Sequence, residues 1–163
     1  MNKDKILKIN NKSDKPDNIV IRDNNIVEKC IKIESQLPKF MKDYFIYLKG
    51  SVAVSTRYAY LEDINFFCTY LVESQELTRA ENTKDITLDE FNSIKARDVN
   101  LFLGDYCSRY YKHTEKNTLI FENNNRALAR KKSSLSTLFK FLYRNEQLEN
   151  NITDGFNPIK LPK

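Results

Sequence analysis

The sequence predicts an all-α fold of four to five helices, on three observations. Its apolar residues recur at helical spacing through most of the chain. Only three Gly and four Pro occur in 163 residues, too few turn formers for a multi-stranded sheet. The composition, 40% hydrophobic and 12% aromatic, supplies a buried core and excludes wholesale disorder.

Residues 1–34 are polar and broken, around Asn10-Asn11-Lys12-Ser13-Asp14-Lys15-Pro16, and read as a partly disordered leader. Its one apolar patch, Ile19-Val20-Ile21, suits a strand or a docking segment. From Leu37 the pattern becomes helical: Leu37, Phe40, Met41, Tyr44, Phe45 and Leu48 share a stripe, and Gly50 stands where a C-cap would. A second helix runs from an N-cap at Ser55 to Ser74, with Tyr60, Leu61, Ile64, Phe67, Cys68 and Leu71 facing the core and Glu62, Asp63 and Asn65 facing away.

Residues 75–92 form a charged connection with a helical turn at Leu88-Asp89-Glu90-Phe91. A third helix spans Lys95 or Ala96 to Tyr110, carrying Val99, Phe102, Leu103 and Tyr106. After a polar connection at 112–123, Asn123-Asn124-Asn125 offers caps for a fourth helix over about 125–145, with a stripe of Leu128, Leu135, Leu138, Phe139 and Leu142. The helical domain thus covers 35–150. Residues 151–163, with Asn157-Pro158 and Leu161-Pro162-Lys163, read as an extended linker, since proline blocks helix there.

Composition also narrows the function. Cys30, Cys68 and Cys107 are odd in number and widely spaced, and His113 is the only histidine, so neither a disulfide framework nor a zinc site has its ligands. Burial as small hydrophobes suits the cysteines, and exposure suits His113. No apolar run approaches the length of a membrane span and no secretory leader is evident, so the expected compartment is the cytoplasm, away from membranes. Gly-rich phosphate loops, G-x-S-x-G and H-E-x-x-H are all missing, so no cofactor and no catalysis are expected of this chain.

The net charge of +5 is concentrated in one place. Between Glu122 and Glu146 there is no acid, but six bases: Arg126, Arg130, Lys131, Lys132, Lys140 and Arg144. At helical spacing Arg130, Ser133, Thr137, Lys140 and Arg144 share a face opposite the leucine stripe, and phosphate oxygens accept hydrogen bonds from such groups. A solvated basic face is the competing reading. At the start of the second helix, Thr56 and Arg57 lie where free backbone N–H groups favour an anion, while Tyr60 suits the core.

Taken in order, Ser55-Thr56-x-x-x-Tyr60-x-x-Asp63-Ile64-x-x-Phe67, Asp98-Val99-x-x-Phe102-Leu103, Arg130-Lys131-x-Ser133-x-Leu135-x-x-Leu138-Phe139-Lys140-Phe141-Leu142-Tyr143 and the closing Asn157-Pro158 resemble a known pattern. Over residues 36–163 the chain resembles the N-terminal core-binding (SAM-like) domain of phage-integrase and Xer-type tyrosine recombinases. The resemblance implies a SAM-like orthogonal bundle that lies on one side of duplex DNA. Cleavage would belong to a separate catalytic domain, and other recombinase protomers would be partners when assembled on DNA. It carries DNA-binding roles onto Thr56, Arg57, Tyr60, Arg130, Lys131, Ser134, Thr137 and Lys140, with Arg144 added by the basic face. Lys132 and Arg57 depart from the family, which favours apolar residues there, and the 110–123 connection is long. The rival expectations are a helical protein-interaction domain and a single-strand binder that stacks bases on Tyr58, Tyr110 and Tyr111.

Overall fold

The computed structural model describes residues 14–109 and 121–161. The expected all-α architecture is what it contains, with no strand among the described residues. In chain order come α1 (Asp17–Gln36), a 3-10 turn (Lys39–Met41) leading into α2 (Lys42–Ser51), α3 (Val54–Ser74), a 3-10 turn (Thr83–Asp85) and α4 (Leu88–Asn92). Then follow α5 (Ala96–Leu101), which runs on into a π turn (Phe102–Tyr106) and helix over 107–109, α6 (Phe121–Arg144) and a last 3-10 turn (Thr153–Gly155).

The expected leader is the largest correction. Residues 17–36 form a 20-residue helix, with Ile19-Val20-Ile21 in its first turns and an acid, Asp17, at its N-terminal end. Ile26, Cys30, Ile33 and Leu37 recur at i, i+4, i+7 and i+11 and pack α1 along α3. Pro38 ends α1 by forcing Leu37 into extended backbone (φ −95°, ψ 163°), so the first expected helix starts only after Pro38, as a 3-10 turn followed by α2. Gly50 lies inside α2, which Val52 caps, and Ala53 rather than Ser55 is the N-cap of α3. Asn123-Asn124-Asn125 sits within α6, not before it. Most of the 112–123 connection, with His113, Tyr110 and Tyr111, lies outside the described residues.

Helix α3 is the central post. It packs on α1, α2 and α6, and Leu61, Ile64, Phe67, Cys68 and Leu71 are buried around it. Phe67 sits among rings, with centroids 4.9 Å from Phe102, 6.3 Å from Phe139 and 6.4 Å from Phe91, all near edge-on. Helix α6 contributes Leu128, Leu135, Leu138, Phe139 and Leu142 to the same core, the stripe read from sequence. The connection after α3 turns on Gln75 in the left-handed region (φ 56°), whose side-chain amide donates to the carbonyls of Val72 and Ala80. Helix α4 opens with a reciprocal cap: Thr87 accepts from the Glu90 N–H, and the Glu90 carboxylate accepts from the Thr87 N–H.

The segment after α6 is not a free linker as far as residue 161. Leu148 and Phe156 are buried, and the Phe156 ring meets Phe139 edge-on at 6.1 Å.

Candidate nucleic-acid interface

Helix α6 separates its bases into two sets. At about 100° per residue, Arg126, Ser133, Ser136, Thr137, Lys140 and Arg144 fall within roughly 100° of arc, on the side away from the leucine stripe. Arg126, Ser133, Lys140 and Arg144 are exposed, and Ser136 and Thr137 are half-buried. With Tyr60 of α3, Ala129, Lys132 and Ile159, the middle of this face lines an open polar hollow of about 490 Å³. Tyr60 is half-buried, with its ring packed against the core and its edge in that hollow. Thr56 is half-buried at the first turn of the same helix.

Two other side chains expected to face DNA, Lys131 and Ser134, turn inward. Lys131 is 6% exposed and Ser134 fully buried, and both reach the carboxylate of Asp63. Lys131 Nζ donates to Asp63 Oδ1 at 3.0 Å and Ser134 Oγ donates to Oδ2 at 2.8 Å. Arg130 completes the group in a bidentate pair, Nη2 to Oδ1 at 2.8 Å and Nε to Oδ2 at 3.0 Å. Asp63, expected to face solvent, is 2% exposed and lies between α3 and α6. Lys131 also holds its ammonium 5.0 Å from the centre of the Phe66 ring. A buried carboxylate is costly without partners, and each oxygen of this one accepts two hydrogen bonds.

Arg57 has a similar fate. It is 5% exposed and pairs with Glu34 of α1, with its Nη2 3.0 Å from Oε2 and 3.1 Å from Oε1, which pins α1 to the start of α3. Arg57, Lys131 and Ser134 are therefore internal, and each binds an acid: Arg57 the half-buried Glu34, Lys131 and Ser134 the buried Asp63. Arg130 keeps half of its side chain exposed at the edge of the α6 face while bound to Asp63.

Five of the nine expected contact residues thus remain on an accessible surface with no ion pair to an acid among the described residues: Thr56, Tyr60, Thr137, Lys140 and Arg144. The expectation missed Ser133, Ser136 and Lys132 as members of the hollow, although Ser133 was on the predicted face. Ile159 joins from the tail, 23 or more residues beyond them, and no local spacing could have placed it.

The cysteines are all buried. Burial pushes the Cys68 and Cys107 thiols up to about 12, and raises that of Cys30. Tyr58, the described member of the expected stacking set, is half-buried beside Lys29, whose ammonium stands 5.9 Å over its ring. Among the described residues no helix is long and apolar enough to cross a membrane. No family model matches the chain, and no curated protein or solved structure matches it either.

Proposed function

We propose that this chain is the DNA-binding, core-binding domain of a tyrosine recombinase or integrase, holding duplex DNA mainly by its phosphates. The observation that carries this reading is the outward face of α6, where Arg126, Ser133, Ser136, Thr137, Lys140 and Arg144 form a strip of cations and hydroxyls with no acid between residues 123 and 145. Hydroxyls and guanidinium or ammonium groups in a row along one helix fit successive phosphate oxygens. The order of motif pieces resembling the recombinase domain supplies the choice among duplex binders. In this reading strand cleavage belongs to a separate catalytic domain, and other protomers join on the DNA.

The test is fluorescence anisotropy of the 163-residue chain with labelled duplex at about 50 and about 200 mM salt, where phosphate-dominated binding weakens steeply. The variant is Lys140→Glu/Arg144→Glu, because neither residue is spent on Asp63. Loss of binding in the variant, with the circular dichroism spectrum kept, supports the reading. Equal binding by wild type and variant sinks it.

A second reading, a protein-interaction domain, is favoured by one feature. Ile31 of α1 and Ile46 of α2 are 55% and 62% exposed and flank a shallow groove rimmed by Lys42 and Lys49. If DNA binding is absent at low salt, that groove becomes the surface to pursue. Tighter binding to single strands than to duplex would instead favour a stacking mode.

A further inference from the structure

Three asparagines hold the chain that follows α6. Asn92 donates to the Gln147 carbonyl at 3.1 Å and accepts from the Glu149 N–H at 2.9 Å. Asn100 of α5 donates to the Gly155 carbonyl at 3.0 Å and accepts from the Asn157 N–H at 2.7 Å. Asn125 of α6 donates to the Lys160 carbonyl at 3.0 Å. A carboxamide carries one acceptor and a two-proton donor side by side, so it pairs with an extended backbone as a neighbouring strand would.

The clamp at Asn100 is the one that determines direction. Gly155 lies so close to α5 that a Cβ added there would stand 2.7 Å from the Ala96 Cβ. Three residues later Pro158 fixes its own φ and keeps Asn157 extended. With Gly155 and Asn157 both bound to one side chain, few free torsions remain before Ile159, which forms a wall of the hollow beside Tyr60, Lys132 and Ser136. The exposed Lys160 follows directly, its carbonyl bound at the amino-terminal part of α6.

We infer that Asn100 is a positioning residue for the duplex-binding face: it clamps Gly155–Lys160 as a strap across α6, so that Ile159 closes the hollow and Lys160 adds a cation beside the α6 row. Asn100 touches no DNA in this arrangement and acts through the strap. The inference rests on the duplex reading, but its structural half does not depend on it.

The experiment combines amide hydrogen exchange and duplex titration on the 163-residue chain, for wild type, Asn100→Ala, Gly155→Ala and Lys160→Ala. In wild type the Asn157 amide should be protected. In Asn100→Ala it should exchange near the rate of an unstructured peptide while amides in the middle of α3 keep their protection, and Gly155→Ala should loosen the strap by a steric route with the clamp residue intact. Duplex affinity should fall several-fold in both, and the slope of log affinity against log salt should flatten by about one, as it should in Lys160→Ala, which is expected to leave Asn157 protected. A merely structural residue would not move that slope.

A freely exchanging Asn157 amide in wild type overturns the strap. Release of the strap with affinity and slope unchanged overturns the positioning role. No duplex binding by the wild type overturns the duplex reading and the positioning role together, while protection of Asn157 would still report the clamp.

Discussion

Arg130 and Asp63, 67 residues apart, form a two-point pair across α3 and α6, with both donor–acceptor distances at or below 3.0 Å. The acid is enclosed and the base is half in water, so the pair gives the basic helix one fixed azimuth against α3. Lys131 beside it and Ser134 one turn on donate to the same carboxylate. What reads in sequence as a block of six cations is therefore two systems, one that joins helices and one that faces outward.

Asp63→Ala should be among the most damaging single substitutions. It leaves the Lys131 ammonium buried with its carboxylate gone, and removal of one partner from a buried pair costs about 3–5 kcal/mol. Urea denaturation followed by circular dichroism measures this. A loss below about 1 kcal/mol would show that the group contributes little to stability. The double variant Asp63→Leu/Lys131→Met, which removes both charges, should recover much of the loss.

Lys131 and Lys132 are neighbours with opposite expected phenotypes. Lys131→Ala should lower stability by about 2 kcal/mol or more, since Asp63 loses a bond and Phe66 its cation. Lys132→Ala, at the edge of the hollow, should change stability by less than about 0.5 kcal/mol and weaken duplex binding. Denaturation curves and anisotropy on the same two samples separate the effects, and identical profiles for the pair would contradict the division of the helix.

The difference between these two lysines also marks where sequence reading stopped. The leucine stripe of α6 and the apolar face of α3 are local periodicities, and they were legible. That Lys131 turns inward depends on an acid 68 residues earlier, and Asp63 itself looked outward because charge alone placed it on the solvent face. Helix α1 was missed for another reason: its many Asn, Asp and Lys residues mask four apolar positions spaced for one helical stripe, Ile26, Cys30, Ile33 and Leu37. The hollow was half legible, because Thr137 and Lys140 follow from α6 but Ile159 arrives by the path of the tail.

Tyr44 is completely buried, and its hydroxyl has no hydrogen-bond partner among the described residues. Burial drives its pKa well above the ordinary 10.0 of a tyrosine, with the Tyr60 and Tyr47 hydroxyls adding to the effect. Tyr44→Phe removes a desolvated polar group while keeping the ring packing against Phe141 at 5.4 Å. Stability should be unchanged or higher by about 1 kcal/mol, read as a rise in thermal midpoint. A clear drop would reveal a partner for the hydroxyl.

The thiols give a pH-dependent test. In the folded chain Cys68 and Cys107 ionise near 12, against an ordinary 9.0, so at pH 8 almost no thiolate is present and both sulfurs are enclosed. A disulfide reagent such as DTNB should titrate them only after denaturant is added. The sign for stability follows from the raised values: there is no effect below pH 9, and a progressive loss appears between 9 and 12 as the unfolded thiols ionise and the folded ones do not. Replacing Cys68 by Ala should flatten that alkaline decline, at a cost in packing.

The π turn at Phe102–Tyr106 links these features to the length of the chain. A π turn holds one residue more than the helix around it, and here the extra length lets Phe102 and Tyr106 stack at 5.8 Å while Cys107 still arrives buried beside Lys131 and Asp63. Gly104 sits in that turn with open space around its α-carbon. A chain shortened by one residue at Gly104 would regain an ordinary helix but rotate everything after it by about 100°, swinging Cys107 away from the ionic cluster. In this stretch the count of residues is under tighter constraint than their identity, so side-chain exchange at Gly104 should be tolerated where a single-codon deletion is not.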